Sequence, residues 1–135
     1  MAAATCHLRL SLLPEQFAIS RLAADSPIPT WVTQGPFFSV TRTGDELSVV
    51  TELSLVPLGI QSERGWRVLK VQGPFVLSEI GVLASLATSL AEAEISLLAV
   101  STFYTNYLLV ASETLTAAFA ALEQAGHTIY RSKAG

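Results

Sequence analysis

The chain has 135 residues, of which half are hydrophobic and 14% are charged, and its formal net charge is −3. This length predicts one domain or two very small ones, with ample material for a core. The net charge is negative and the sequence has no cluster of basic residues, so binding to nucleic acid through a basic surface is disfavoured. Two histidines and one cysteine are too few ligands for a structural zinc site, so we expect no metal and no other cofactor.

The N-terminal segment and the cysteine content predict a cytoplasmic protein. Residues 1–13 lack a basic start and carry Arg9 inside their apolar run, which is unlike a signal peptide. No stretch approaches the roughly 20 apolar residues that a membrane span needs. Cys6 stands alone, which excludes an internal disulfide and fits a reducing compartment.

Hydrophobic periodicity predicts eight strands and two helices. The strands are expected over residues 7–12, 17–22, 37–42, 46–51, 66–71, 95–101, 107–111 and 128–131. One helix is expected over residues 78–93, and a second begins at Ser112 or Glu113 and ends before Gly126. Residues 23–29 hold two prolines and predict a loop, which is followed by one helical turn over 30–34. A short helix is expected within 53–61.

The second half therefore follows the order strand, helix, strand, strand, helix, strand. This is a ferredoxin-like order, with two helices on one face of an antiparallel sheet, and it predicts an α+β fold. The first half is a weaker copy, because an offset of 61 takes Leu8 to Leu69 and Leu47 to Leu108. Residues 17–30 match the first helix of the second half but are broken by prolines. We therefore expect two tandem modules, 1–62 and 63–135, the first without a regular first helix.

The opening of the predicted helix is the stretch around which the chain is organised. Ser78 is a good N-cap residue, and Glu79 follows where the helix dipole favours a negative charge. Gly81 is unusual, since glycine inside a helix costs about 1 kcal/mol relative to alanine. Either a ligand or backbone comes close to the first turn, or the glycine gives room for tight packing of the helix on the sheet.

Several of these stretches resemble the ACT domain, a small ferredoxin-like ligand-binding module. Residues 80–83 (IGVL) and 90–96 (LAEAEIS) carry the general resemblance. Trp66-Arg67, residues 78–81 (SEIG) and residues 101–110 (STFYTNYLLV) are similar to a tandem-ACT subfamily. That subfamily includes small bacterial proteins and the animal cytosolic arginine sensors (CASTOR type). The resemblance covers nearly the whole chain and is most specific over residues 65–110.

The resemblance implies a small-molecule sensor that binds an amino acid or a related effector at the interface between ACT modules. The implied ligand-binding residues are Ser78, Glu79, Ile80, Gly81, Val82, Thr102, Phe103 and Asn106. Asn106 stands where the arginine sensors carry aspartate, which would pair with a guanidinium. A neutral or acidic amino acid is therefore at least as well matched as arginine. The chain is about half the size of the animal sensors, so a homodimer is expected, with a protein target as a further partner.

The residues also support a binding site by their chemistry. A helix N-terminus can receive a carboxylate, and Glu79 can accept from an α-ammonium group, so together they complement a zwitterion. The alternatives are that Glu79 is a solvated first-turn acid and that Asn106 is a hairpin-turn residue. On those alternatives the chain is a structural interaction module with a vestigial pocket. No nucleophile elbow, P-loop or dinucleotide-binding motif is present in the sequence, and we expect no catalysis.

Overall fold

The computed structural model describes residues 7–72 and 81–131. The strands there are β1 (Arg9–Leu12), β2 (Phe17–Leu22), β3 (Ser39–Arg42), β4 (Leu47–Glu52), β5 (Gln61–Val71), β6 (Leu98–Ser101), β7 (Asn106–Ala111) and β8 (Thr128–Tyr130). The helices are α1 (Val82–Glu92) and α2 (Leu115–Gln124), and 3₁₀ turns cover Thr30–Thr33, Leu53–Leu55 and Ser112–Thr114. Every predicted strand and both helices are present. The largest differences are that β5 begins five residues earlier than predicted and α1 four residues later.

The chain divides into two compact units. The main unit comprises Met1–Pro14 and Arg67–Gly135, and the inserted unit comprises Glu15–Trp66. Strand β5 crosses this boundary, with its first six residues in the inserted unit and the rest in the main unit. This division differs from the predicted domain boundary after residue 62. Strand β1 pairs with the second half of β5 and therefore belongs to the main unit.

The main unit has the predicted strand, helix, strand, strand, helix, strand order from β5 to β8, with β1 added to its sheet. Strand β7 pairs with β5 and β6, while β1 pairs antiparallel with β5 and parallel with β8. The helices and the sheet share one core, because alternate strand residues and the apolar sides of α1 and α2 are buried together. Its fully buried members include Leu10, Leu69, Leu86, Leu90, Leu108 and Leu122. The predicted placement of both helices on one face follows from this shared core.

The inserted unit has the strand order β3-β4-β2-β5, with every neighbouring pair antiparallel. This is the strand order of a βαββαβ module in which the 3₁₀ turns Thr30–Thr33 and Leu53–Leu55 stand where the helices would be. The unit therefore lacks a regular first helix, as predicted. The predicted match between residues 17–30 and that helix is wrong over 17–22, because β2 is the first strand of this unit.

The hairpins β3–β4 and β6–β7 repeat each other in length and register. Strand β6 begins at residue 98 and β3 at residue 39, so the offset is 59 rather than the predicted 61. The same offset takes the pair Ser39↔Val50 to Leu98↔Leu109. A difference of two residues leaves each side chain on the same face of its strand, which explains why the apolar pattern suggested the longer offset.

Both helices of the main unit end in a Schellman motif, and α1 begins in an unexpected way. Gly126 ends α2 as predicted, with a φ of 99°, and the His127 N–H donates to the Leu122 carbonyl at 3.1 Å. The predicted capping of α1 by Ser78 is wrong, because the residue at the N-cap is Gly81, with a φ of 90°. Gly81 therefore lies outside the helix, in a backbone conformation that favours glycine.

Candidate functional site

The eight residues predicted to bind a ligand fall into two groups along the main unit. Ser78, Glu79 and Ile80 lie outside the described residues. Gly81 and Val82 form the start of α1, and the remaining three lie at the turn between β6 and β7. That turn contains Thr102 and Phe103, and Asn106 is the first residue of β7.

The Val82 side chain is buried, unlike the other predicted contacts that the structure describes. It is only 5% exposed and belongs to the core of the main unit. A buried valine at the first helical position anchors α1 to the sheet and leaves no side-chain surface for a ligand. Val82 continues the family motif, and the motif does not distinguish a packing residue from a contact residue.

At the start of α1, no side chain of the described residues caps the helix. A Cβ added to Gly81 would meet no atom of the described residues within 4 Å, so close packing does not explain the glycine. The positive φ does explain it. The Gly81 carbonyl accepts the first helical hydrogen bond, from the Ser85 N–H at 2.9 Å. Gly81 has no side chain to cap the helix, and the first-turn N–H groups lack acceptors within the helix itself.

Threonine side chains hold the turn between β6 and β7 in place. The Thr102 N–H and hydroxyl both donate to the Thr105 carbonyl, at 2.8 and 3.1 Å, and the Thr105 N–H donates back to the Thr102 hydroxyl at 3.1 Å. The buried Thr105 hydroxyl donates to the carbonyl of Val71, the last residue of β5. The turn therefore lies beside the end of β5, where the chain leads on towards α1.

Asn106 presents a polar group of defined chemistry at this end of the sheet. The Ser101 hydroxyl donates to Asn106 Oδ1 at 2.7 Å. This bond orients the side-chain amide and engages its acceptor, so the amide nitrogen, a donor, is the group suited to meet a ligand. A donor complements a carboxylate or a carbonyl better than it complements the guanidinium of arginine.

The turn itself is exposed and aromatic. Phe103 is 68% exposed and Tyr104 is 62% exposed. Their rings lie edge to face, with centroids 4.8 Å apart. Both rings therefore have surface that another group could cover.

A cleft in the inserted unit was not predicted. It has a volume of about 150 Å³ and is lined by Ile19, Ser20, Arg21, Glu46, Ser48, Gln61, Ser62 and Glu63. The hydroxyls of Ser20 and Ser62 lie 2.8 Å apart across neighbouring strands. Arg21 and Glu46 form an ion pair at 3.7 Å, with both side chains about half exposed, so solvent screens it. The pairing of β2 with both β4 and β5 brings these residues together, and no local sequence pattern signals it.

Among the residues that the structure describes, Glu52 and His127 have shifted pKa values, for the same main reason. Burial raises the pKa of Glu52, and the Glu15 carboxylate adds to the rise. Gly35 lets this carboxylate lie against the backbone, because a Cβ there would come within 2.7 Å of Glu52 Oε2. Burial also lowers the pKa of His127, and the nearby His7 adds to the fall.

The environment of His127 favours its neutral form. The Leu8 N–H donates to His127 Nδ1 at 3.1 Å, which places the proton of the neutral ring on Nε2. Nε2 is buried and has no hydrogen-bond partner among the described residues. The histidine therefore helps to join the start of β1 to the end of α2, and neither predicted site group includes it.

Within residues 7–72 and 81–131, no three histidine, cysteine, aspartate or glutamate side chains are grouped so that they could hold a metal ion. None of the helices described there is long and apolar enough to cross a membrane.

Comparison with known proteins assigns the main unit to a family. Residues 61–124 match the family model of the ACT domain. Over 96% of both chains, the protein is 36% identical to Atu0741 from Agrobacterium tumefaciens, whose crystal structure superposes with a TM-score of 0.90. Residues 61–124 belong to the ACT domain family. Residues 15–58, inside the inserted unit, match a different model that represents an N-terminal domain.

Other solved structures share the ACT fold at lower identity. VC0802 from Vibrio cholerae is 20% identical, with a TM-score of 0.73 over 88% of this chain and 90% of its own. The regulatory subunit of aspartate kinase from Thermus thermophilus is 15% identical, with a TM-score of 0.62 over 86% of this chain and 96% of its own. At these identities, the two similarities are evidence for the fold alone. No curated protein matches the chain.

Proposed function

We propose that this ACT protein is a small-molecule sensor whose effector is a neutral or acidic amino acid, or a related zwitterion. The proposed site lies at the end of the main-unit sheet, where β5 stops, α1 begins and the β6–β7 turn is anchored. The observation that carries the proposal is the bond from Thr105 to the Val71 carbonyl, because it holds this turn beside the last residue of β5. The proposal includes no catalytic step and no metal or cofactor, and it keeps the cytoplasm as the expected location.

The chemistry available at this end of the sheet matches a zwitterion. The first-turn N–H groups of α1 favour a carboxylate, and the amide nitrogen of Asn106 adds a second donor. Glu79 remains the proposed acceptor for the α-ammonium group. No charged residue lies between Glu94 and Glu113, so the β6–β7 hairpin brings no second carboxylate for a guanidinium. This composition supports a neutral or acidic effector over arginine.

In this proposal, a second copy of the chain covers the exposed side of the site. Phe103 is exposed in the single chain, and a ligand contact there needs a partner surface. In a homodimer, the ligand would be held where ACT modules from the two copies meet. The dimer would pass its state on to a target protein.

Thermal unfolding against a panel of amino acids at millimolar concentration tests the proposal. A ligand present at about 100 times its Kd adds roughly 2.7 kcal/mol to the free energy of unfolding, which raises the Tm by several degrees. We expect one or a few neutral or acidic amino acids to give this shift. Glu79→Gln should abolish it, whereas Glu92→Gln, which alters an exposed acid at the other end of α1, should retain it. A flat panel would refute the amino-acid proposal.

A structural interaction module is the second candidate function, and the exposed pair Phe103 and Tyr104 favours it. Aromatic side chains are enriched in the cores of protein interfaces. On this alternative, Phe103→Ser would weaken the binding of a protein partner, while no amino acid would change the Tm. The thermal panel therefore separates the two candidates.

A further inference from the structure

The two faces of the inserted-unit sheet differ in burial. Leu47 and Val49 of β4 are fully buried and pack with Val32, a residue of the first 3₁₀ turn, so this face is covered. Ser48 lies between them and points to the other face, since successive side chains of a strand alternate. Ser48 is only partly buried and lines the cleft of about 150 Å³. The cleft therefore lies on the open face of the sheet, away from the core of the unit.

Strand pairing places three polar side chains in one row across the cleft. Arg21 of β2 stands directly opposite Ser48 of β4 and directly opposite Gln61 of β5. Directly opposite side chains share a face of the sheet, with Cβ atoms about 5 Å apart. The row therefore presents a guanidinium flanked by a hydroxyl and a carboxamide. These groups can all donate to one carboxylate.

Two contacts hold the Arg21 guanidinium in place. Its Nη2 donates to the Asp45 carbonyl at 3.1 Å, and its Nε lies 3.7 Å from Glu46 Oε1. The second contact is an ion pair, because its distance is too long for a hydrogen bond. A guanidinium has five N–H donors. Among the described residues, Arg21 thus keeps donors for a ligand, although its position is already set.

The next row of the same face supplies an apolar floor and a carboxylate. Glu63 of β5 stands directly opposite Ile19 of β2. These two residues lie two positions along their strands from Gln61 and Arg21, so all four side chains point to one face. Glu63 is exposed and forms no ion pair with any residue that the structure describes. Its carboxylate can therefore meet a cationic nitrogen.

The charges and the size of the cleft limit what it can hold. Its lining has one guanidinium, from Arg21, and two carboxylates, from Glu46 and Glu63. A simple anion would be repelled by the carboxylates, and a simple cation by the guanidinium. A cavity of about 150 Å³ admits a molecule of roughly the size of benzene, which excludes a peptide or a nucleotide. Residues placed diagonally on paired strands, such as Arg21 and Glu63, lie about 7–8 Å apart, which is within reach of a short aliphatic stem.

We infer that this cleft binds a small molecule that carries a carboxylate and a cationic nitrogen at the two ends of an aliphatic stem. The carboxylate meets the Arg21 guanidinium between Ser48 and Gln61. The stem lies against Ile19, and the nitrogen donates to Glu63. Linear ω-amino acids and basic amino acids have this chemistry. The inference concerns a second site, inside the inserted unit, and does not depend on the proposed function.

The probe that tests the inference is 6-aminohexanoate, which carries these two charged groups and no other polar group. Its binding to the full chain is followed in the ¹H–¹⁵N NMR spectrum. We expect saturable shifts at millimolar probe, largest on the amides of Arg21, Ser48 and Glu63. Hexanoate lacks the nitrogen and pentylamine lacks the carboxylate. Each should bind at least about fivefold more weakly, which corresponds to the loss of one exposed charge pair.

Substitutions at the two ends of the cleft test the role of each charge. Arg21→Gln and Glu63→Gln should each raise the Kd for 6-aminohexanoate at least about fivefold. The matched controls are Arg64→Gln and Asp25→Asn, which change exposed residues outside the lining of the cleft. They should leave the Kd within about twofold of the wild-type value.

Three results would overturn the inference. They are an unchanged spectrum at millimolar 6-aminohexanoate, equal affinity for hexanoate at the same amides, and a Glu63→Gln variant that is folded by circular dichroism and binds like the wild type. Shifts centred on Gly81 and Asn106, with none in the cleft, count as the first result for the cleft.

The outcome is separable from that of the proposed function. The probe has no ammonium group beside its carboxylate, so it does not match the zwitterion expected in the main unit, where the response depends on Glu79. A cleft that binds 6-aminohexanoate, in a chain that responds to no neutral or acidic amino acid, would keep this inference and refute the proposed effector. A response to those amino acids with no shift in 6-aminohexanoate would do the reverse.

Discussion

Single residues at the ends of α1 and α2 show how local backbone geometry limits stability. Each helix ends in a Schellman motif, with Glu94 at the left-handed position of α1 and Gly126 at that of α2. The φ of Glu94 is 61°. This conformation costs a residue with a Cβ about 1–2 kcal/mol of free energy, whereas glycine adopts it without steric cost.

We therefore predict that Glu94→Gly raises the free energy of unfolding by about 0.5–1 kcal/mol, after the greater entropy of glycine in the unfolded chain is deducted. Urea denaturation measures this difference. Glu92→Gly is the matched control, because it places the same change inside α1 and should destabilise by up to about 1 kcal/mol. Equal destabilisation by both variants would contradict the explanation.

His127 gives the fold a pH dependence at the scale of one side chain. Its folded pKa lies below the ordinary value of 6.5, so the unfolded chain binds a proton that the folded chain resists. Stability should therefore be complete above pH 6.5 and should fall as the pH drops towards the lowered pKa. His127→Asn keeps an acceptor for the Leu8 N–H but cannot titrate, and the loss between pH 6.5 and 5 should shrink.

Thermal unfolding across that pH range, for the wild type and His127→Asn, tests this prediction. Glu52 acts in the opposite direction, because its raised pKa makes its protonated form more favourable in the folded chain as the pH falls. Glu52 is present in both proteins, so its contribution cancels when their pH profiles of stability are compared. Parallel pH profiles for the two proteins would exclude His127 as the cause.

Among the elements, the attachment of the β6–β7 turn to β5 matters most for the site. Thr105→Val keeps the shape of the side chain but leaves the Val71 carbonyl without the hydroxyl that donates to it. An unpaired buried carbonyl costs about 1–3 kcal/mol, and we expect urea denaturation to show a loss of that size. The variant should also lose part of its Tm response to the effector.

Thr41→Val, on the exposed face of β3, is the control for this change and should alter stability by less than about 0.5 kcal/mol. A Thr105→Val variant as stable as the wild type would show that the bond to Val71 does not hold the turn.

The elements also show what the sequence could predict. Strand β2 occupies the predicted residues 17–22. Strand β5 was predicted to start at Trp66, since residues 61–65 are polar or glycine, but pairing with β2 extends it back to Gln61. The start of α1 was missed because glycine in a left-handed conformation replaces the expected serine cap.

For the whole molecule, the sequence predicted the class of fold better than the arrangement of the chain. The α+β class and the ferredoxin-like order follow from periodicity along the chain. The position of β1 between β5 and β8 depends on pairing between residues more than 55 positions apart, such as Leu10 with Val71 and Leu10 with Ile129. For a related reason, a family motif cannot separate the buried side chain of Val82 from an exposed one such as Phe103.

The central claim is that an amino acid binds at the end of the main-unit sheet. Chemical-shift changes in the ¹H–¹⁵N NMR spectrum, measured while neutral and acidic amino acids are added, test it most directly. We predict that the largest changes fall on the amides of Gly81, Thr105 and Asn106. Changes centred on Arg21 and Ser62 would place the site in the cleft of the inserted unit instead, and an unchanged spectrum at millimolar ligand would contradict the claim.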